Sequence, residues 1–129
     1  MDWMTNDEAS PTVEVVAASS FKRELKGLKK RYPSIRSDLE PTLKQLEAGQ
    51  TPGDQISGVK DTVYKVRIPN RDANRGKSGG YPVIYYIRTP IKVLLVAIYS
   101  KSERSGISAS EVKELIGQAN KELDAENLE

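Results

Sequence analysis

The chain has 129 residues, of which 37% are hydrophobic and 29% charged, with a net charge of +2. That is room for one domain with one lean core, not for two, and no apolar run approaches the roughly 18–20 residues of a membrane span. The absence of cysteine and histidine excludes disulfides, thiolate chemistry, imidazole metal sites and every Ser-His or Cys-His catalytic arrangement. Chemistry falls to Lys, Arg, Tyr, Ser and carboxylates. With a polar, acidic start and no secretory pattern, a cytoplasmic location is expected.

The small net charge hides a segregation. Residues 21–36 carry seven Lys/Arg against Glu24 alone, residues 60–104 carry ten against three acids, and residues 111–129 carry six acids against Lys113 and Lys121. Two basic segments brought together by folding make a polyanion-binding face; kept apart, they are solvated surface.

Residues 1–10 read as a flexible N-terminal segment, residues 11–124 as the folded domain and residues 125–129 as a flexible tail. TVEVVAA, 12–18, reads as a short strand, and Ser19 or Ser20 as the N-cap of the helix behind it. Phe21, Leu25, Leu28 and Tyr32 recur at helical spacing, leaving Lys26, Lys29 and Lys30 on a basic face, either candidate nucleic-acid-binding residues or a solvated surface. Tyr32-Pro33 ends that helix. Ile35, Leu39, Leu43 and Leu46 predict a second helix, with Ser37 or Asp38 as N-cap so that Pro41 falls in the first turn, and Gly49 closing it. Residues 51–54 read as loop.

Three strands follow: 62–68 (TVYKVRI), 81–88 and 91–99, the last apolar on both faces and therefore expected at the sheet's centre. Period-two alternation puts Thr62, Tyr64, Val66 and Ile68 on the core face and Val63, Lys65 and Arg67 on the other. Lys65 and Arg67 would then stand about 6.6–7 Å apart, close enough to clamp one phosphodiester, neutralise a pentavalent transition state and assist proton transfer. Thr89-Pro90 is a tight hairpin connection, and Pro82, which cannot donate to a ladder, implies an edge or strand-start position. Ser108 to Glu111 is a capping box opening a last helix whose face is Val112, Leu115, Ile116, Ala119 and Leu123. The order β-α-α-β-β-β-α makes an α+β domain, a helical hairpin packed on an antiparallel-rich sheet.

The loop 69–80 contains Gly76-Lys77-Ser78, but a P-loop needs a glycine where Arg71 stands and a helix afterwards. What remains is a glycine-rich turn whose Arg71, Arg75 and Lys77, with Tyr81 beside them, are candidate RNA contacts, or else a solvated loop. Glu111, Glu114, Glu122 and Asp124 lack metal-ligand spacing and read as solvated helix surface. No metal and no cofactor are expected.

The strings FKRELKGLKKRYPSIRSDLEPTLKQLEAG, ISGVKDTVYKVRIPN, RGKSGGYPVIYYI and IKVLLVAIYSKSE resemble the RelE/ParE superfamily of toxins from bacterial type II toxin–antitoxin systems, over roughly residues 12–120. The resemblance implies a RelE-like, microbial RNase-like fold, a metal-independent ribosome-dependent mRNA endonuclease that inhibits translation, and two partners, a cognate antitoxin and mRNA on the ribosome. It assigns Lys65 and Arg67 to phosphate handling and proton transfer. The strand opening Gly-Tyr-Arg in the family is Gly80-Tyr81-Pro82 here, so the phosphate-binding Arg is lost at Pro82. Ser102 and Ser108 occupy two further functional positions, with Lys101 and Arg104 beside them as substitutes. The ParE branch implies a DNA gyrase inhibitor instead, and the lost residues leave room for an inactive, antitoxin-binding member.

Overall fold

The computed structural model describes residues 12–72 and 80–127. Its elements in chain order are β1 (Glu14–Ala17), α1 (Ser19–Arg31), α2 (Ile35–Glu47), β2 (Asp54–Gln55), β3 (Val63–Ile68), β4 (Tyr81–Thr89), β5 (Lys92–Ile98) and α3 (Ala109–Asn127). The sheet runs β1-β5-β4-β3-β2, with β1 parallel to β5 and the other pairs antiparallel. This is the expected α+β domain, with β2 as an added strand in a stretch that reads as loop. β2 can pair with β3 because residue 53 is glycine: its φ is +94° and a Cβ there would stand 2.3 Å from the Lys65 carbonyl oxygen. Only a glycine lets the chain approach β3 that closely.

The sheet is covered on both faces. On one, Ile68, Tyr81, Val83, Tyr85, Val93 and Leu95 pack against Phe21 and Leu28 of α1 and Ile35, Leu39 and Leu46 of α2. On the other, Val63, Ile84, Tyr86, Leu94 and Val96 pack against Val112, Ile116, Ala119 and Leu123 of α3. Each of the large side chains so buried contributes about 1.5–3 kcal/mol. Burial on both faces explains why β5 is apolar from Val93 to Ile98, but β4, not β5, is the middle strand of the five. A bulge against Ile84/Tyr85 lets Val96 and Ala97 both join the α3 side.

Local expectations fail where a tertiary partner wins. Ala18, not a serine, is the N-cap of α1. Ser20 Oγ donates to the Val96 carbonyl at 2.7 Å, and Glu24 Oε1 accepts from the Ile98 amide at 3.1 Å. α1 thereby seals the edge of β5 beyond the end of β1, whose ladder stops at Ala17 and Leu95. Pro41 is not in a first turn: α2 starts at Ile35 with Ser34 as N-cap, which puts proline inside the helix. Asp72, reaching back across the fold, accepts from Ser34 N–H at 2.6 Å and from Ser34 Oγ at 3.0 Å. That carboxylate at the positive end of α2 draws the start three residues earlier than local signals suggest. The other end follows expectation. Gly49 at φ +89° closes α2, its amide donating to Leu46 and that of Gln50 to Gln45.

Thr62 is exposed rather than core, and Val63, on the expected outer face, is fully buried because α3 and the segment after β2 cover that end of β3. α3 continues to Asn127, past the expected boundary at 124. The expected flexible segment at 1–10 and the end of the tail lie outside the described residues. No helix among the described residues is long and apolar enough to cross a membrane.

Candidate nucleic-acid interface

Some of the candidate residues lie toward one end of the sheet, where β3 finishes, β4 begins and β5 runs into the turn Ser100–Arg104. Register decides the geometry. Lys65 pairs with Ile84 and Arg67 with Pro82, and Ile84 belongs to the α3 side, so Lys65, Arg67 and Pro82 share that face. Lys65 and Arg67 are exposed, beyond the part that α3 covers. The expected pair of outward cations on β3 is therefore present.

Pro82 is the second residue of the middle strand, not an edge residue. The fold tolerates it for a reason of hydrogen-bond parity. The Pro82 carbonyl accepts from Tyr99 N–H at 3.2 Å, so the missing Pro82 N–H would also have pointed to the β5 side. One bond, back to Tyr99, is lost just past the end of β5, while the ladder to β3 loses nothing. Arg67 and Pro82 thus form a non-hydrogen-bonded pair, the closer of the two kinds. Gly80 completes this corner: a Cβ on it would lie 2.6 Å from Arg67 Cγ, 2.9 Å from Arg67 Cδ and 2.8 Å from the Ile68 carbonyl oxygen. The stem of Arg67 lies across the bare glycine.

Arg104 is held beside Tyr99, the residue whose amide reaches Pro82. Its guanidinium makes two bonds to Glu111, Nη2 to Oε1 at 2.6 Å and Nη1 to Oε2 at 3.2 Å, while Nε donates to the Gly106 carbonyl at 2.9 Å. It also stands 5.3 Å from the centre of the Tyr99 ring. The hydrogen bond to Glu111, first among the causes, holds the Arg104 pKa above its ordinary value. Burial raises Glu24 and the Tyr99 phenol, and Arg104 opposes both shifts. Arg104 is therefore a structural clamp tying the turn to α3, not an idle cation. Ser108 Oγ accepts from Glu111 N–H at 3.1 Å, so half of the capping box forms and Arg104 takes the carboxylate that would have completed it. Lys101 is exposed in the turn and makes no ion pair with a described residue.

Other candidates go elsewhere. Tyr81 is fully buried on the helical-hairpin side, its ring edge-on to Tyr32 at 5.6 Å, and burial, with Asp38 and Asp72 nearby, raises its pKa. It is a core residue and cannot contact RNA. Arg71 pairs with the buried Asp38, its Nε 3.1 Å from Oδ1 and its amide 3.2 Å from Oδ2. That pair ties the segment after β3 to α2. Lys26, Lys29 and Lys30 are exposed, but α1 packs on the opposite side of the sheet from Lys65 and Arg67. The two basic segments therefore do not merge into one surface. The turn links them, since Glu103 pairs with Arg31 at the end of α1. Arg75 and Lys77 lie outside the described residues. The acids of α3 are not merely solvated: Glu111 holds Arg104, Asp124 holds Arg88 at 3.1 Å, and Glu122 accepts from the Ser19 amide at 3.1 Å. Among the described residues no group of three or more acids could hold a metal ion.

Sequence reasoning missed Tyr99, Glu24 and Gly80 as parts of this corner. Glu24 had a signal, as the lone acid on a basic helix; Tyr99 had none, because its role rests on a backbone amide and a ring face. No protein-family model matches the chain, and no curated protein matches it significantly.

Proposed function

We propose that the chain is the toxin of a type II toxin–antitoxin pair, a RelE-like ribosome-dependent mRNA endonuclease of the cytoplasm, attenuated at position 82. The observation that carries this is the register Arg67 to Pro82 beside the exposed Lys65. Metal-independent RNA cleavage uses the adjacent 2′-hydroxyl as nucleophile and needs cations on the phosphate where negative charge grows. Lys65 and Arg67 supply two, and Lys101 stands in the turn that follows the same row. Position 82 is buried, so an arginine there would have to reach outward past its neighbours to set a guanidinium beside Arg67. Losing one such donor costs about 10²–10³ in rate.

A second reading has its own observation. Arg104 is committed to Glu111 and Gly106, so it is not available to replace a lost acid or clamp. This favours an inactive family member that retains antitoxin binding.

The experiment is primer-extension mapping of cleavage on a translated mRNA with purified ribosomes, for the wild type and Pro82→Arg, alongside growth arrest on induction with and without the protein encoded next to it. Weak cleavage raised about 100-fold by Pro82→Arg supports the proposal. Binding of that neighbouring protein, with no cleavage and no arrest by either version, supports the second reading. Inhibition of gyrase supercoiling, with no cleavage, would move the chain to the ParE branch.

A further inference from the structure

The two edges of the sheet are treated differently. β2 is two exposed residues long, including a charged Asp54, which is how natural sheets discourage edge pairing. β1 is four residues long and carries one charge, Glu14, paired with Lys92, and it is apolar from Val15 to Ala17. Its amides at Glu14 and its neighbour Ala18 point inward, donating to Ile91 and Leu95, so by strand parity the N–H and C=O groups of Val15 and Ala17 point outward. Neither residue has a backbone partner on that side among the described residues. Apolar grooves run along both sides of this edge. One of about 250 Å³ lies between the helices of the hairpin, with Val15 and Ala17 at its floor and Leu25, Leu39 and Leu43 on its walls. Another of about 320 Å³ lies toward α3, against Val16, Leu94 and Leu123.

We infer that β1 is the interface of a two-fold homodimer, in which two copies pair antiparallel about Val16 and join their sheets into one. The edge is self-complementary in three respects. Pairing about Val16 sets Val15 opposite Ala17 of the second copy, so the outward donors and acceptors of both residues are satisfied in a single reciprocal set. The same pairing sets a larger apolar side chain beside a smaller one twice over. Charge also matches. Arg36 and Glu47, with Glu40 between them, line the hairpin groove and form no ion pair with a described residue. They are eleven residues apart in sequence on α2, ~16 Å along its axis, or about five residues of strand. The Glu47 carbonyl takes the amides of Thr12 and Val13, which fixes Glu47 level with the start of β1 and Arg36 near its end. A two-fold through Val16 reverses that order and brings each arginine to within about two strand residues, ~7 Å, of the level of the other copy's glutamate, a gap the two side chains can span.

The test is sedimentation equilibrium of the full chain over a range of concentrations. A reversible dimer is expected. Ala17→Pro removes an outward N–H and leaves the β5 ladder intact, so it should weaken the dimer at least 10-fold with unchanged far-UV circular dichroism. Arg36→Glu and Glu47→Arg should each weaken it several-fold, and the two together should restore it. A chain still monomeric at about 1 mM overturns the inference. So does a dimer indifferent to all three substitutions. Hydrogen exchange adds an independent readout: protection of the Val15 and Ala17 amides should rise with concentration. Full protection in dilute monomer would mean that another segment of the same chain covers the edge, and the inference fails.

Discussion

Gly80→Ala tests how tightly the corner around Arg67 is packed. The added Cβ would meet three atoms at 2.6, 2.8 and 2.9 Å, all well inside ordinary contact of roughly 3.5–4.0 Å. Two belong to the Arg67 stem, which can swing away, and one to the Ile68 carbonyl, which can move only with β3. Overpacking of this kind costs typically 1–3 kcal/mol, while the alanine regains about 0.4–1 kcal/mol by restricting the unfolded chain. The net expectation is a loss of about 1–2 kcal/mol, read as a lower midpoint in urea at constant slope. Arg67→Ala removes Cγ and Cδ, and its own cost is measured separately so that it can be subtracted. In the double mutant the Gly80→Ala penalty should fall by about half, a coupling on the order of 0.5–1 kcal/mol, with the remainder belonging to the Ile68 carbonyl. If Gly80→Ala is neutral, or costs the same with and without Arg67, the contact between Gly80 and the Arg67 stem does not constrain this corner.

Three further outcomes follow from single features. Pro41→Ala restores the amide that would reach the Ser37 carbonyl. An interior helical proline costs about 3 kcal/mol, part of which is offset by its stiffening of the unfolded chain, so a gain of about 1–2 kcal/mol in chemical denaturation is expected. Glu24→Gln keeps an acceptor for the Ile98 amide but removes a carboxyl whose pKa burial has raised. The native state therefore holds this proton more tightly than the unfolded chain does, and the wild type loses stability as pH climbs from about 4.5 through the raised native value. The melting temperature of Glu24→Gln relative to wild type should rise from about pH 4 to about pH 7, and a constant or falling difference contradicts the assignment. Glu111→Gln should cost at most about 1 kcal/mol, because the Arg104 pair is more than one-third exposed and screened. If the RNA-binding proposal holds, the released guanidinium should tighten single-stranded RNA binding and steepen its salt dependence by about 0.7 in log–log slope.

Much of the architecture was legible because it is written in periodicity. The α1 stripe of Phe21 and Leu28, the α3 face of Val112, Ile116, Ala119 and Leu123, and the two-sided burial of β5 all follow from spacing alone. Lys65 and Arg67 were legible for the same reason, since strand alternation assigns a face without reference to any other element. What spacing cannot carry is the identity of a distant partner. Ser20 looks like a cap until β5 offers a carbonyl, Glu111 looks like half of a capping box until Arg104 takes its carboxylate, and Asp72 moves the start of α2 from 38 residues away. In each case a short-range hydrogen bond of modest net worth, ~0.5–1.5 kcal/mol, gives way to one that also satisfies a second group.

The same distinction separates the two halves of the functional reading. Exposure on the strand left Lys65 available, whereas Arg71, Tyr81 and Arg104 were drawn into Asp38, the core and Glu111 respectively. A basic composition therefore overstates the cationic surface, because ion pairs made across the fold consume charges that the sequence displays as free. Pro82 works in the opposite sense. It gives up only one ladder bond, at a position where β5 is ending, so the fold exerts little pressure against it. The pressure that would place an arginine there would come from a ligand on the face shared by Lys65 and Arg67, but Pro82 is buried, so Pro82→Arg must be read alongside a denaturation midpoint that separates a loss of stability from a change in function. The substitution regains the bond to Tyr99 and incurs the repulsion of a like charge opposite Arg67, each within about 1 kcal/mol. It must also carry its guanidinium out of a buried position, so a net loss of stability is expected.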